Sequence, residues 1–190
     1  SISIKEYLES GPVSVESRQE LVKLLALAFG PNNPPDYLVD MIDEAEPDLQ
    51  AAYYSSFHPQ GLLAAPYYVS LAADSSQAMP VRLAALASLS GLPEGNRRID
   101  SNQLAILGGL ALSAETEAKL RQRLVLVLTD YYSDFPELVP EILKKIYASD
   151  SLADDISRAF AADWLNRLSA SSSYPLPPVS EAQWQDYYNN

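Results

Sequence analysis

The sequence predicts an all-α fold assembled from repeated helix pairs, and three observations lead there. Met79–Leu92 (MPVRLAALASLSGL) is apolar nearly all round, broken only by Arg82 and Ser88, and such a helix needs cover on several sides. Ala and Leu outnumber the β-branched residues and Gly occurs only 7 times in 190 residues, so helix is favoured over sheet. An Arg leading an apolar helix recurs in PVRLAALASL from Pro80, KLRQRLVLVL from Lys119 and DISRAFAADWL from Asp155, which places Arg82, Arg121 and Arg158 39 and 37 residues apart.

Taken in order, Ile4–Ser10 is a short lead helix stopped by Gly11-Pro12. Ser17-Arg-Gln-Glu20 reads as a capping box, in which the Ser hydroxyl takes the third-residue amide and the Glu reaches back. It opens a helix over Arg18–Phe29 with Leu21, Leu24, Leu25 and Ala28 on one face, stopped by Gly30-Pro31. Asn32–Pro35 is a turn, and Asp36–Ala45 a short helix turning Tyr37, Leu38, Met41 and Ile42 inward. Pro47–Phe57 follows, then the loop His58–Gly61, then Leu62–Ala73, in which Pro66 either kinks the helix or begins a separate turn.

Past the central helix, Gly91–Asn96 is a loop. Ser101–Leu112 is an apolar helix whose Gly108-Gly109 admits a neighbouring helix at close range. Ala114–Tyr132 is the longest predicted helix, with Leu120, Leu124, Val127, Leu128 and Tyr131 as its inner stripe. Asp134-Phe-Pro-Glu137 is a second capping-box pattern and opens Pro136–Ala148. Ser151–Leu168 carries Ile156, Phe160, Trp164 and Leu168 four residues apart as core. Ser169–Val179 is a Ser/Pro linker, extended near Tyr174–Pro178, and Ser180-Glu-Ala-Gln183 caps a final helix over Glu181–Tyr188. The expected division is a helical-repeat domain over 1–168 and a linker with a short helix over 169–190.

This pattern resembles the HEAT/armadillo superfamily of helical repeats. The resemblance is carried by Pro80-Val81-Arg82 with Ala84, Ala85 and Leu89 as a first helix, and by Pro136-Glu-Leu-Val-Pro-Glu-Ile-Leu143 as a second, and it covers roughly Pro47–Leu168. The family's Asp–Arg ladder is not evident, since the residues six before Arg82 and Arg158 are Ser76 and Leu152. The resemblance implies a right-handed α-solenoid of about four to five helix pairs, with second helices lining a concave surface that binds other proteins. An irregular helical bundle is the alternative arrangement.

Charge and composition bound the function. The formal charge is −12, and residues 1–75 hold 11 acids against 3 bases, so nucleic acid is a poor default partner. Cys is absent, which removes disulfides, thiolate zinc sites and a thiol nucleophile. No apolar run reaches the roughly 20 residues that span a membrane, so membrane insertion is not expected. Neither a signal peptide nor a compartment is readable, and oligomeric state is left open.

Candidate residues are weighed against plain structural roles. His58, the only His, lies in a predicted loop without a Ser or Cys partner at catalytic spacing, so a surface loop residue is the simpler reading and no catalytic residue is assigned. Asp40, Asp43 and Glu44 share a helical face within an acidic run that includes Glu46 and Asp48; they read as a solvated face or a partner patch, the EF-hand spacing being absent. Arg97 and Arg98, with Lys119, Arg121 and Arg123, form a basic set without a Gly-rich phosphate loop. No cofactor or metal motif is present. In the pairs Tyr53-Tyr54, Tyr67-Tyr68 and Tyr131-Tyr132 adjacent side chains diverge by about 100°. One of each pair is therefore expected to pack while the other, assigned as Tyr54, Tyr68 and Tyr132, faces a groove. Tyr187-Tyr188 is a fourth pair, in a tail that docks in cis or serves as a peptide ligand.

The expected function is a scaffold or adaptor that binds another protein. The alternatives are an acidic inhibitor that neutralises a basic enzyme and, least favoured, a helical enzyme using His58.

Overall fold

The computed structural model describes residues 4–10, 14–57, 64–92, 96–149, 154–169 and 173–189. All regular structure among them is helical: α1 (Ile4–Ser10), α2 (Val15–Phe29), α3 (Asp36–Ile42), α4 (Pro47–Ser56), α5 (Ala64–Ala73), α6 (Met79–Gly91), α7 (Ser101–Leu112), α8 (Ala118–Asp130), α9 (Leu138–Ala148), α10 (Asp155–Leu168) and α11 (Glu181–Asn189). The chain falls into two compact units, Ser1–Ile99 and Asp100–Asn190.

Most boundaries follow the sequence to within a few residues, and the departures have local causes. α2 begins earlier than expected because Ser14, not Ser17, is its cap: the Ser14 hydroxyl accepts from the Ser17 amide at 3.3 Å. α3 stops at Ile42, where Glu44 and Ala45 turn back onto Met41 and Ile42 in tighter i→i+3 bonds; its last turn offers no cation to its C-terminal carbonyls. α8 starts only at Ala118, since Ser113–Glu117 forms a turn, and α2 exceeds it in length. α10 is capped by Asp154, which accepts from the Ser157 amide at 2.9 Å. Asp100 and Gln103 form a reciprocal capping box on α7.

A helix leaves its last four carbonyls without intrahelical donors. One device satisfies them five times among the described residues. The fourth residue of the following helix reaches back to the last turn of the helix before it. Arg18 donates to the Leu8 carbonyl (3.2 Å), Gln50 to Ile42 (3.0 Å), Arg82 to Ala72 (2.8 Å), Arg121 to Ala111 (3.2 Å) and Arg158 to Tyr147 (3.1 Å). These bonds close the hairpins α1/α2, α3/α4, α5/α6, α7/α8 and α9/α10. The recurrent Arg of the sequence is therefore a hairpin clasp, and it sets the phase of the repeat. Sequence alignment paired each Arg helix with the helix after it. Packing pairs it with the helix before it, α7 on α8 and α9 on α10 more extensively than α8 on α9.

In the first unit α2, α4 and α6 pack in succession, α5 lies on α6 and α1 touches α3. Val22, Leu25, Leu49, Tyr53, Phe57, Tyr68, Val81, Leu86 and Leu89 are buried between them. The second unit has α8 on α10 and α7 on α9, around Leu104, Leu107, Leu124, Val127, Leu128, Leu143, Phe160 and Leu165. The expected α8 stripe is buried throughout, whereas α10 turns Ser157, Ala159, Ala161 and Ala162 inward with Phe160 and leaves Leu168 exposed. Small residues there suit the close packing of α10 on α9.

Ion pairs join neighbouring hairpins inside each unit. Arg18 meets Glu46 at 3.0 Å and Arg121 meets Asp154 at 3.6 Å. In both cases the acid is the N-cap residue of the next clasp-bearing helix. An acid–Arg rung thus exists, with its acid four residues before the donor position of its own hairpin rather than six.

Two measurements check this packing. A Cβ at Gly108 would lie 2.8 Å from Ile142 Cδ1 and 3.2 Å from its Cγ1, whereas a Cβ at Gly109 meets nothing within 4 Å. Gly109→Ala is expected to stabilise by up to about 1 kcal/mol through helix propensity. Gly108→Ala is expected to be about 1–2 kcal/mol less stable than Gly109→Ala, with Ile142→Val recovering part of the gap in chemical denaturation. Arg121 also donates to Thr116 at 2.7 Å and Ser113 at 3.0 Å. Arg121→Met is therefore expected to cost about 2–4 kcal/mol, while exposed Arg98→Ala stays within about 0.5 kcal/mol.

Candidate interaction surface

α2 carries apolar residues over more of its circumference than one packing face can use. Val22, Leu25 and Ala26 point into the first unit. Leu24, Leu27 and Phe29 are left 59%, 82% and 50% exposed, and Ile4 of α1 is 47% exposed. The inward stripe is thus one residue out of register with the expected Leu21, Leu24, Leu25 and Ala28. Between α1 and α2 lies a cleft of about 550 Å³ with Ile4, Tyr7, Leu21 and Leu24 as apolar lining and Glu16, Ser17 and Glu20 beside them. Large exposed apolar side chains gathered beside polar ones mark interaction sites more often than solvent-facing surface.

The carboxylates beside this cleft are accessible. Hydrogen bonds from the Ser14 side chain, and then from its own backbone, hold the Glu16 carboxyl below the usual carboxylate range. Glu20 takes the Lys23 ammonium at 2.6 Å, one turn on, in an exposed i,i+3 pair. A second, polar cleft of about 350 Å³ in the same unit includes Lys5, Glu9, Arg18, Asp40, Glu44 and Glu46 in its lining.

The sequence-assigned residues fall in several places. Asp40, Asp43 and Glu44 are all exposed in the first unit, with Asp40 and Glu44 on the polar cleft; Asp43 and Glu44 lie past the end of α3, so the three do not share one helix face. Among the described residues no group of three or more His, Asp or Glu is placed to hold a metal ion. Arg97 is drawn into the fold: its guanidinium donates to the carbonyls of Ser90 (3.2 Å) and Leu92 (3.4 Å), closing the C-terminus of α6. Arg98 is exposed, and Arg121 of the basic set is buried in its clasp.

The groove-facing assignment of Tyr54 and Tyr68 is corrected. Both are buried, Tyr54 beside an equally buried Tyr53 and Tyr68 fully. α4 is covered by α2, α3 and α6, so both members of its pair find cover. The hydroxyls are used internally: Tyr68 donates to the carbonyls of Phe57 (2.8 Å) and Tyr54 (3.3 Å), and Tyr67 to the Tyr54 hydroxyl (3.2 Å). The Ser88 hydroxyl of α6 also donates to the Tyr54 carbonyl, at 2.6 Å. These bonds satisfy the carbonyl end of α4. Tyr132 is half-buried with its ring edge-on to Trp164, centroids 4.8 Å apart. His58 and the side chains of Tyr187 and Tyr188 lie outside the described residues.

The start of the tail docks in cis. Asn166 of α10 brackets Tyr174, accepting from its amide at 2.8 Å and donating to its carbonyl at 2.9 Å, and the Tyr174 ring stands edge-on to Tyr147. Sequence reasoning placed Leu24 on the packing stripe of α2, and it did not single out Asn166, nor the exposed Leu27 and Phe29. The signal for the latter was LVKLLALAF itself, too apolar for a single stripe.

Comparison with known proteins finds no matching family model, no matching curated protein and no matching solved structure. The functional reading therefore rests on geometry.

The tyrosine cluster gives a pH dependence. Burial, ahead of the neighbouring Tyr67 and Asp43 charges, pushes Tyr53 up to about 12, and burial likewise raises Tyr54 and Tyr68. Unfolded tyrosine ionises near pH 10. The neutral rings therefore stabilise the fold fully below about pH 10, and that contribution is lost as pH rises toward the folded-state values. Guanidinium midpoints are expected to fall above about pH 10, with the share of tyrosinate absorbance that belongs to the buried rings appearing together with loss of helical dichroism. Tyr68→Phe, which strips donors from Phe57 and Tyr54, is expected to cost about 1–3 kcal/mol.

Proposed function

We propose that the chain is a HEAT-like helical-repeat protein, its hairpins stacked as a right-handed α-solenoid, that binds another protein as a scaffold or adaptor. The recurrent clasp at the fourth residue of five helices and the acid–Arg rungs between hairpins support the repeat reading. The observation that carries the binding role is the exposed apolar strip Leu24 and Leu27 of α2, with Leu24 lining the α1–α2 cleft. A strip of this kind costs solubility unless something covers it.

A second reading, an acidic inhibitor of a basic enzyme, is favoured by the exposed carboxylates Asp40, Asp43 and Glu44. The two readings differ in salt dependence. Apolar docking is weakly screened, while binding through exposed carboxylates falls steeply with ionic strength.

The test is affinity capture from the source organism's extract with the native chain, Leu24→Asp/Leu27→Asp, and Asp40→Asn/Asp43→Asn/Glu44→Gln, read by quantitative mass spectrometry. Both sets replace exposed residues, so stability is expected to stay within about 1 kcal/mol. A partner retained by the native chain and lost with the Leu variants is the expected result. Loss only with the neutralised acids favours the inhibitor reading, and identical retention by all three chains removes the binding role.

A further inference from the structure

Counting each helix from its clasp residue aligns α2 with α4 and α6. Ser17 then matches Leu49 and Val81, Glu20 matches Ala52 and Ala84, Leu21 matches Tyr53 and Ala85, and Leu24 matches Ser56 and Ser88. In α4 and α6 the first three positions are buried. This edge faces the preceding hairpin, because Ser88 of α6 donates to the Tyr54 carbonyl of α4. In α2 the same edge borders the α1–α2 cleft, where Leu21 keeps the apolar character of Tyr53 and Ala85, Leu24 stands in place of a serine, and Ser17 and Glu20 replace buried apolar positions. The cleft thus lies along the edge on which α4 and α6 meet a preceding hairpin, with the Glu20 carboxylate where those helices carry Ala52 and Ala84.

We propose that this cleft receives an amphipathic helix of a partner protein, its apolar stripe on Ile4, Tyr7, Leu21 and Leu24 and its Lys or Arg side chains on Glu16 and Glu20. The inference rests on the protein-binding reading and names the chemistry of the partner. Charge decides between occupants. A second copy of this chain would bring a protein of formal charge −12, and the same cleft with its Glu16 and Glu20, against these carboxylates. A basic helix meets them with opposite charge and adds an apolar stripe at i, i+3, i+4 and i+7.

The experiment pans a phage-displayed library of helical peptides against the immobilised chain. Synthetic copies of the enriched peptides are then titrated by fluorescence anisotropy. The expected peptides carry Lys or Arg beside an apolar stripe. They are expected to lose about tenfold or more in affinity to Leu24→Asp, to lose several-fold to Glu16→Gln/Glu20→Gln, and to tighten at low salt. Circular dichroism of both variants is expected to match the native chain, because the replaced side chains are exposed. Peptides with acidic flanks, or with affinities unmoved by Leu24→Asp, overturn the assignment of the cleft and leave the protein-binding reading standing. Recovery of no specific peptide overturns both. Sedimentation velocity showing a dimer of the native chain that Leu24→Asp dissolves assigns the face to a second copy and overturns the proposal.

Discussion

Each helix hairpin in this chain has to provide donors for the last carbonyls of its first helix, and it does so from the fourth residue of its second. The geometry explains the choice of residue. A side chain one turn into the second helix lies level with the end of the first. Arg is long enough to span the gap and carries several donors in one planar group. Gln50 does the same work with a shorter side chain, reaching a carbonyl 8 residues back where the Arg residues reach 10 or 11. Arg121 shows the full form, with three carbonyls around one guanidinium and the Asp154 carboxylate beyond it. The same contact closes a hairpin and, through the acid, ties it to the next. Helix packing in each unit is built on these fixed corners.

The tyrosine cluster solves the same problem at the other end of α4. No cation serves the last turn of that helix, and Tyr68 and Ser88 supply the hydroxyl donors instead. This places large aromatic rings in the centre of the first unit, where they add buried area and edge-to-face contacts while the hydroxyls of Tyr54, Tyr67 and Tyr68 are hydrogen-bonded. The cost of that solution is alkaline sensitivity, because a phenol bonded in the interior cannot ionise without leaving it. A similar economy appears in the tail, where one amide side chain, Asn166, satisfies both backbone groups of Tyr174 and anchors an otherwise irregular segment.

Against this background α2 is the exception. Its inner face joins the stack through Val22, Leu25 and Ala26, its clasp Arg18 is in place, and its N-cap is formed. Yet its outer edge mixes exposed apolar and charged side chains, whereas the matching edges of α4 and α6 are buried at Leu49, Ala52, Tyr53, Val81, Ala84 and Ala85. The mixture of exposed Leu side chains with Glu16 and Glu20 is the feature of the first unit that hairpin closure and core packing leave unexplained.

The sequence alone determined the helical class, the number and order of helices to within a few residues, and the Arg repeat. These depend on local signals: composition, caps, Pro and Gly stops, and a period that survives without long-range information. It also located a close approach at Gly108-Gly109, because glycines inside an apolar helix have few other uses, and packing narrowed it to Gly108, since a Cβ at Gly109 meets nothing within 4 Å. Tertiary structure alone decided which helix each Arg serves, since a side chain can reach forward or back and only the packed hairpin shows which. It decided that Tyr54 and Tyr68 are interior, because the burial of adjacent residues depends on how many neighbours cover a helix. It also decided which of the two apolar faces of α2 joins the core. Val22/Leu25/Ala26 and the expected Leu21/Leu24/Leu25/Ala28 are both good stripes in sequence, sharing Leu25, and only packing on α4 distinguishes core from candidate binding surface.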